Sequence, residues 1–251
     1  MRRRARHFNP AHAGAASCYD ARFLALADND AVADWTDRSA NARTASQATS
    51  GNRPVFKTAV QGGSPIVRFD GSNDQLLTSS YALPSAASLV SAAKADAWQQ
   101  TAQYRPIATQ AYTSGNDSNR GLGFCYLAPG GVFDWSQYDA LFIGSGYATT
   151  STPKALAPIT SGSDFRVIST VLGANTARAW SNGSVISSRK EATGAFLARS
   201  DQFVIGGKKG TVAEAWDGDI GCLSYFHVEI SDALRKRTEH AAAFSWKISC
   251  N

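Results

Sequence analysis

The richest chemistry in this chain lies in one aromatic run. Tyr126, Phe133, Trp135 and Tyr138 surround Pro129-Gly130-Gly131, with Asp134, Gln137 and Asp139 between them. Trp98 and Tyr104 add aromatic surface nearby in sequence. Aromatic rings offer an apolar platform to a sugar ring, while amides and carboxylates bond its hydroxyls. Tyr126, Trp135, Gln137 and Tyr138 are therefore the candidate glycan-binding residues. The competing reading is that these rings fill a core.

A second group is acidic. Asp70, Asn73 and Asp74 share one short segment, and Asp217 and Asp219 share another. Such hard oxygens suit calcium. Aspartate and asparagine also make turns by bonding their own backbone, which needs no ion. No motif requires a cofactor, and calcium is the ion these residues could hold. The histidines are His7, His12, His227 and His240, and no Gly-x-Ser-x-Gly elbow accompanies them. The cysteines, Cys18, Cys125, Cys222 and Cys250, form no Cys-x-x-Cys pair, which removes zinc-ribbon and thioredoxin-like readings. Cys125 and Cys222 sit in apolar runs, where buried free thiols are expected. Spacing alone cannot pair cysteines.

These residues need a scaffold, and the composition says which kind. Of 251 residues, 43% are hydrophobic, enough for one large core, and only 18% are charged. Glutamate occurs at Glu191, Glu214, Glu229 and Glu239 alone, so strong helix formers are scarce. Short apolar runs bounded by turn residues predict strands near Trp35 and at 18–23, 65–69, 75–78, 88–93, 106–109, 122–127, 132–135, 140–143, 165–172, 203–205 and 218–228. Asp70–Asp74 reads as the turn of a hairpin. Asn182-Gly183, flanked by strand formers, predicts a hairpin with a type I′ turn. Residues 28–53 read as a polar surface segment. One helix is predicted after Ser231, an N-cap, with Leu234, Thr238, Ala241, Ser245 and Ile248 on one face. Arg235, Lys236 and Arg237 are expected on its solvated side.

Four of the five net positive charges can be assigned to Arg2, Arg3, Arg4 and Arg6. Residues 1–17 read as a basic arm, and 18–251 as the domain. The arm either stays solvated or docks on an acidic surface. It lacks the apolar run of a signal peptide, and no stretch of the chain is apolar enough to span a membrane. The body has no basic stripe with interleaved aromatics, so specific nucleic-acid recognition is not expected.

Four ordered blocks carry a family likeness. They are Phe8-Asn9-Pro10 with Tyr19-Asp20-Ala21 and Val32 to Ser39; Pro65 to Asp74; Trp180-Ser181-Asn182-Gly183; and Trp216 to Ile220 with Ile230 to Arg235 and Phe244 to Lys247. In this order the chain resembles the laminin-G-like jelly rolls of the concanavalin A-like lectin/glucanase superfamily, in a version common in phage and bacterial surface proteins. The resemblance implies an all-β, antiparallel jelly-roll β-sandwich closed by a short C-terminal helix. It also implies a non-enzymatic surface module on a virion or outside the cell. Such a decoration, fibre or tail-associated protein would be anchored by its arm to a particle or capsid protein and would bind cell-surface glycan. A free bacterial carbohydrate-binding module is the alternative, and homo-oligomers stay open. A glycoside hydrolase of this superfamily would carry a Glu-x-Asp-x-Glu strand. The nearest run here, Glu214-x-x-Asp217-x-Asp219, breaks the required alternation.

Overall fold

A computed structural model describes residues 9–84, 86–95, 104–110, 120–126, 164–173, 176–190, 199–207 and 215–251. In chain order the strands are β1 (Ser17–Asp20), β2 (Asp34–Trp35), β3 (Ala45–Ser46), β4 (Val55–Gln61), β5 (Ser64–Asp70), β6 (Leu76–Leu77), β7 (Tyr81–Leu83) and β8 (Ala87–Ala95). They continue with β9 (Tyr104–Gln110), β10 (Arg120–Tyr126), β11 (Arg166–Gly173), β12 (Thr176–Ser181), β13 (Ser184–Lys190), β14 (Arg199–Asp201), β15 (Phe203–Ile205) and β16 (Asp217–Phe226). The helix α1 (Asp232–Trp246) follows. One sheet runs β13-β12-β11-β8-β16-β5-β4, and β1 also pairs with β16. The other runs β10-β9-β15-β6-β3-β2, and β14 pairs with β7 apart from both. Every strand pairing among the described residues is antiparallel. The protein is an all-β sandwich with one C-terminal helix among the described residues.

The larger sheet is buried on both faces, and its sequence shows why. Along β8, Leu89, Ala93 and Ala95 join the core between the sheets, while Val90 and Ala92 face the outer side. Residues two apart share a face of a strand. Strand β16 breaks this rule once. Ile220 packs inward but Cys222 outward, because the ladder with β8 slips between these residues at Gly221. A bulge of one residue flips every later side chain to the other face. The flip places Cys222 and Phe226 in the outer cluster.

Helix α1 covers that outer face. Ser231 accepts the Leu234 N–H at its N-terminus, and Asp232 adds a favourable charge there. The buried face is Arg235, Thr238, Glu239, Ala242, Ala243 and Trp246. This corrects the expected solvated side: Lys236 and Arg237 are exposed, but Arg235 is 2% exposed. Its Nη1 donates to both Glu239 oxygens at 2.6 Å, and Ser169 of β11 donates to Glu239 from below. The Arg235 guanidinium lies 4.0 Å from the Trp180 ring centre. A charge with a full set of partners can be buried, and a charge alone cannot. Trp246 is sealed against the sheet, with its Nε1 donating to Pro65 O at 3.1 Å. Removing an indole from water contributes on the order of 5 kcal/mol. That anchors a helix whose remaining buried residues are small or polar.

Other expectations change as well. Strands β5 and β6 do not form a hairpin, since they lie in different sheets. Asp70 Oδ1 accepts the Ser72 and Asn73 N–H groups, and Gly71 takes φ 72°. The chain turns out of the sheet plane there, and β5 pairs with β4 and β16 instead. Strand β4 borders β5; it is absent from the sequence expectation because its Val55–Gln61 run shows little apolar alternation. Residues 28–53 lie mostly at the surface, with a short strand at Trp35 as expected, but Val32, Trp35 and Ala45 reach into the main core. The Asn182-Gly183 hairpin forms as expected, with φ 50° and 82° joining β12 and β13. Residues 9–17, assigned to the arm by composition, pack on the domain. Ala15, Ala16 and Ser17 are buried, and the Ala16 N–H reaches Tyr225 O at 2.7 Å.

Candidate functional site

A groove of about 290 Å³ opens on the outer face of the larger sheet, between α1 and the N-terminal segment. Its floor is β1 and β16, which contribute Cys18, Cys222 and Ser224. One wall is α1, with Thr238, Ser245 and Trp246; the other holds Asp20, Arg22, Phe23 and Arg38. This volume is at the lower end of the small-ligand range, roughly 300–1,000 Å³.

Local geometry fixes each wall residue. Asp20 caps the turn Ala21–Phe23 by accepting the Arg22 N–H. The same carboxylate binds the Arg22 side chain, Nε to Oδ1 at 3.0 Å and Nη2 to Oδ2 at 2.6 Å. That tight turn projects Phe23 outward, where it is 56% exposed. Arg38 comes from a separate loop held by buried Asp37. Asp37 Oδ1 accepts N–H bonds from Cys18 and Ser39, and its Oδ2 accepts from Ser39 Oγ and the Arg43 N–H. The Arg38 N–H donates to Cys18 O at 2.8 Å. Its guanidinium then lies 3.3 Å from the Phe23 ring centre. Arg22 lies 4.9 Å from the Trp246 ring centre. Both guanidiniums are thus stacked on aromatic faces, a favourable arrangement that also restricts their motion.

The floor is chemically quiet. Burial raises the Cys18 thiol to about 11 and pushes Cys222 higher still. Both are free thiols, protonated at neutral pH, and neither is poised as a nucleophile. His227 lies outside the groove lining, stacked on Tyr81 and edge-on to Tyr225. Burial, with Arg43 nearby, lowers it to about 4. It is therefore neutral at pH 7, with its Nε2 buried and without a hydrogen-bond partner.

The sequence-derived sites fare unequally. Tyr126 ends β10 opposite Tyr104, while Trp135, Gln137 and Tyr138 lie outside the described residues, as do Arg2, Arg3, Arg4 and Arg6. The acidic residues do come together at one sheet end, where Asp217 stands opposite Asp70. Their oxygens mostly have other partners. Asp70 caps its own turn, Asp74 Oδ2 accepts the Asp70 N–H at 2.9 Å, and buried Asp219 takes the Arg68 fork at 2.7 and 3.0 Å. Among the described residues no three His, Cys, Asp or Glu side chains gather as a metal site.

Asp74 gives a pH-dependent expectation instead. Burial, then repulsion from Asp70, raises its carboxyl from 3.8 to about 6. A folded pKa above the unfolded one means that stability is lost as pH rises through that window. Asp74→Asn keeps an oxygen for the Asp70 N–H and removes the charge. It should raise stability at pH 7 by about 1–2 kcal/mol and make no difference at pH 3, read from urea unfolding at both pH values.

Neither a protein-family model nor a curated protein matches the sequence. Solved structures do match in shape. Trypanosoma rangeli sialidase in complex with sialic acid aligns with TM-score 0.57 at 13% identity, over 92% of this chain and 33% of that one. The binding domain of Paraclostridial Mosquitocidal Protein 1 aligns with TM-score 0.55 at 10% identity, over 93% and 53%. Domain 4 of AbnA, a GH43 extracellular arabinanase from Geobacillus stearothermophilus, was solved with arabinotriose. It aligns with TM-score 0.53 at 10% identity, over 86% of this chain and all of that domain. The chain thus spans about a third of the sialidase chains it matches. At such identities the likeness establishes a shared jelly-roll-like β-sandwich.

Proposed function

We propose that this chain is a non-enzymatic β-sandwich module of the concanavalin A-like type that binds glycans at the groove beside α1. The observation that carries this reading is the Phe23 ring, exposed although Arg38 covers one face, beside a groove lined by Ser224, Thr238 and Ser245. A ring for stacking and fixed polar groups for orientation are what a sugar site needs. Carbohydrate is bound by the arabinanase domain of the same shape, which supports the reading by fold analogy alone. The thiols and His227 offer no activated nucleophile or base at neutral pH, which favours binding over catalysis.

The test is a glycan array with the wild type, Phe23→Ala and Trp135→Ala, each with calcium and with chelator. Phe23→Ala should lose binding at least tenfold, while Trp135→Ala and chelation should leave it unchanged. Loss with Trp135→Ala alone would move the site to the segment holding Tyr126, Trp135, Gln137 and Tyr138. The same reading makes Arg2, Arg3, Arg4 and Arg6 the anchor to an acidic particle protein, such as a capsid or tail component. Deleting residues 1–7 should then abolish co-sedimentation with the particle and leave the thermal midpoint unchanged. Retained association would favour a free carbohydrate-binding module.

A further inference from the structure

We infer that the groove selects sugars bearing a carboxylate, with Arg38 as the specificity-determining residue. This rests on the glycan-binding reading above and narrows it. The groove's formal charges are Asp20, Arg22 and Arg38. Asp20 is committed to Arg22 through three contacts between 2.6 and 3.2 Å. Cys18 and Cys222 stay protonated, so one positive charge remains over.

That charge belongs to Arg38. Its guanidinium has no carboxylate partner among the described residues, and its residue is exposed at the groove mouth. Solvated arginines are common, but this one is held. Its backbone N–H is bonded to Cys18 O, and the neighbouring Asp37 ties the loop to β1 through Cys18 N–H. Its flat face is on Phe23, so its N–H edges stay available around the ring. Arg22 lies over the same ring at 5.7 Å, and its Nη1 is not used by Asp20. Two guanidiniums therefore border the one exposed aromatic platform of the groove. A sugar stacked on the face of Phe23 that Arg38 leaves open would bring a ring substituent to those edges. A planar carboxylate matches a guanidinium fork with two parallel hydrogen bonds, whereas a neutral hydroxymethyl does not.

The experiment uses the full chain on matched oligosaccharide pairs. Galacturonate, mannuronate and glucuronate oligomers are compared with their neutral hexose counterparts, at 0.05 and 0.5 M NaCl. At least one uronate should bind tenfold or more tightly than its neutral partner, and added salt should shrink the ratio. Arg38→Ala should bring the ratio close to one with the thermal midpoint unchanged, and Arg38→Lys should keep part of it. Equal binding of acidic and neutral partners, or a preference that survives Arg38→Ala, would overturn the inference and leave glycan binding standing. No binding of any glycan by the wild type would overturn both.

Discussion

Gly221→Ala should destabilise the protein by about 3 kcal/mol and loosen the wall of the groove. A Cβ at Gly221 would sit 2.4 Å from Cε2 and Nε1 of Trp246. The indole is 1% exposed and bonded to Pro65 O, so it has no free direction in which to move. Overpacking in a filled site costs about 1–3 kcal/mol, and a rigid aromatic neighbour puts this case at the upper end. Relief requires α1 to lift, and α1 supplies Thr238, Ser245 and Trp246 to the groove. Urea unfolding reads the stability. A double-mutant cycle with Trp246→Ala reads the mechanism, because the two changes should be far from additive if the clash is the cause. Additive losses would place the cost in the β16 backbone instead.

Glu239→Gln should cost about 3–5 kcal/mol, although it changes one atom. The substitution leaves Arg235 buried under the helix without its counter-charge. Removing one partner of a buried pair carries that penalty, while replacing both by apolar residues often does not. The paired change Arg235→Met with Glu239→Leu should therefore recover most of the loss. Urea midpoints of the three proteins settle this, and a double variant no better than Glu239→Gln would contradict it. Asp232, 3.5 Å from Arg235 Nε but largely exposed, should be a poor substitute for Glu239.

What could be read from sequence follows the range of the interaction. Asn182-Gly183 and Ser231 act within a few residues, and both do what their types require. Strand β16 was legible from its apolar run, but not the change of face at Gly221, which arises from pairing with β8. Arg235 opens a run of three basic residues, Arg235-Lys236-Arg237, and only Glu239 one turn later hints at its burial. Asp70–Asp74 is a turn as its residues demand, yet which strand β5 pairs with is a non-local choice. The groove was least visible. Phe23, Arg38 and Trp246 come from distant parts of the chain, and each alone looks ordinary. One local signal was present: Asp37 with Ser39 two residues later is a side-chain-stabilised turn, and it holds Arg38 in place.

The measurement that bears most directly on the groove is a crystal structure of the protein soaked with the tightest-binding glycan from the array. Sugar density stacked on Phe23, between α1 and β1 with a carboxylate at Arg38, is the expected result. Density confined to another face of the sandwich, with the groove unchanged, would contradict it.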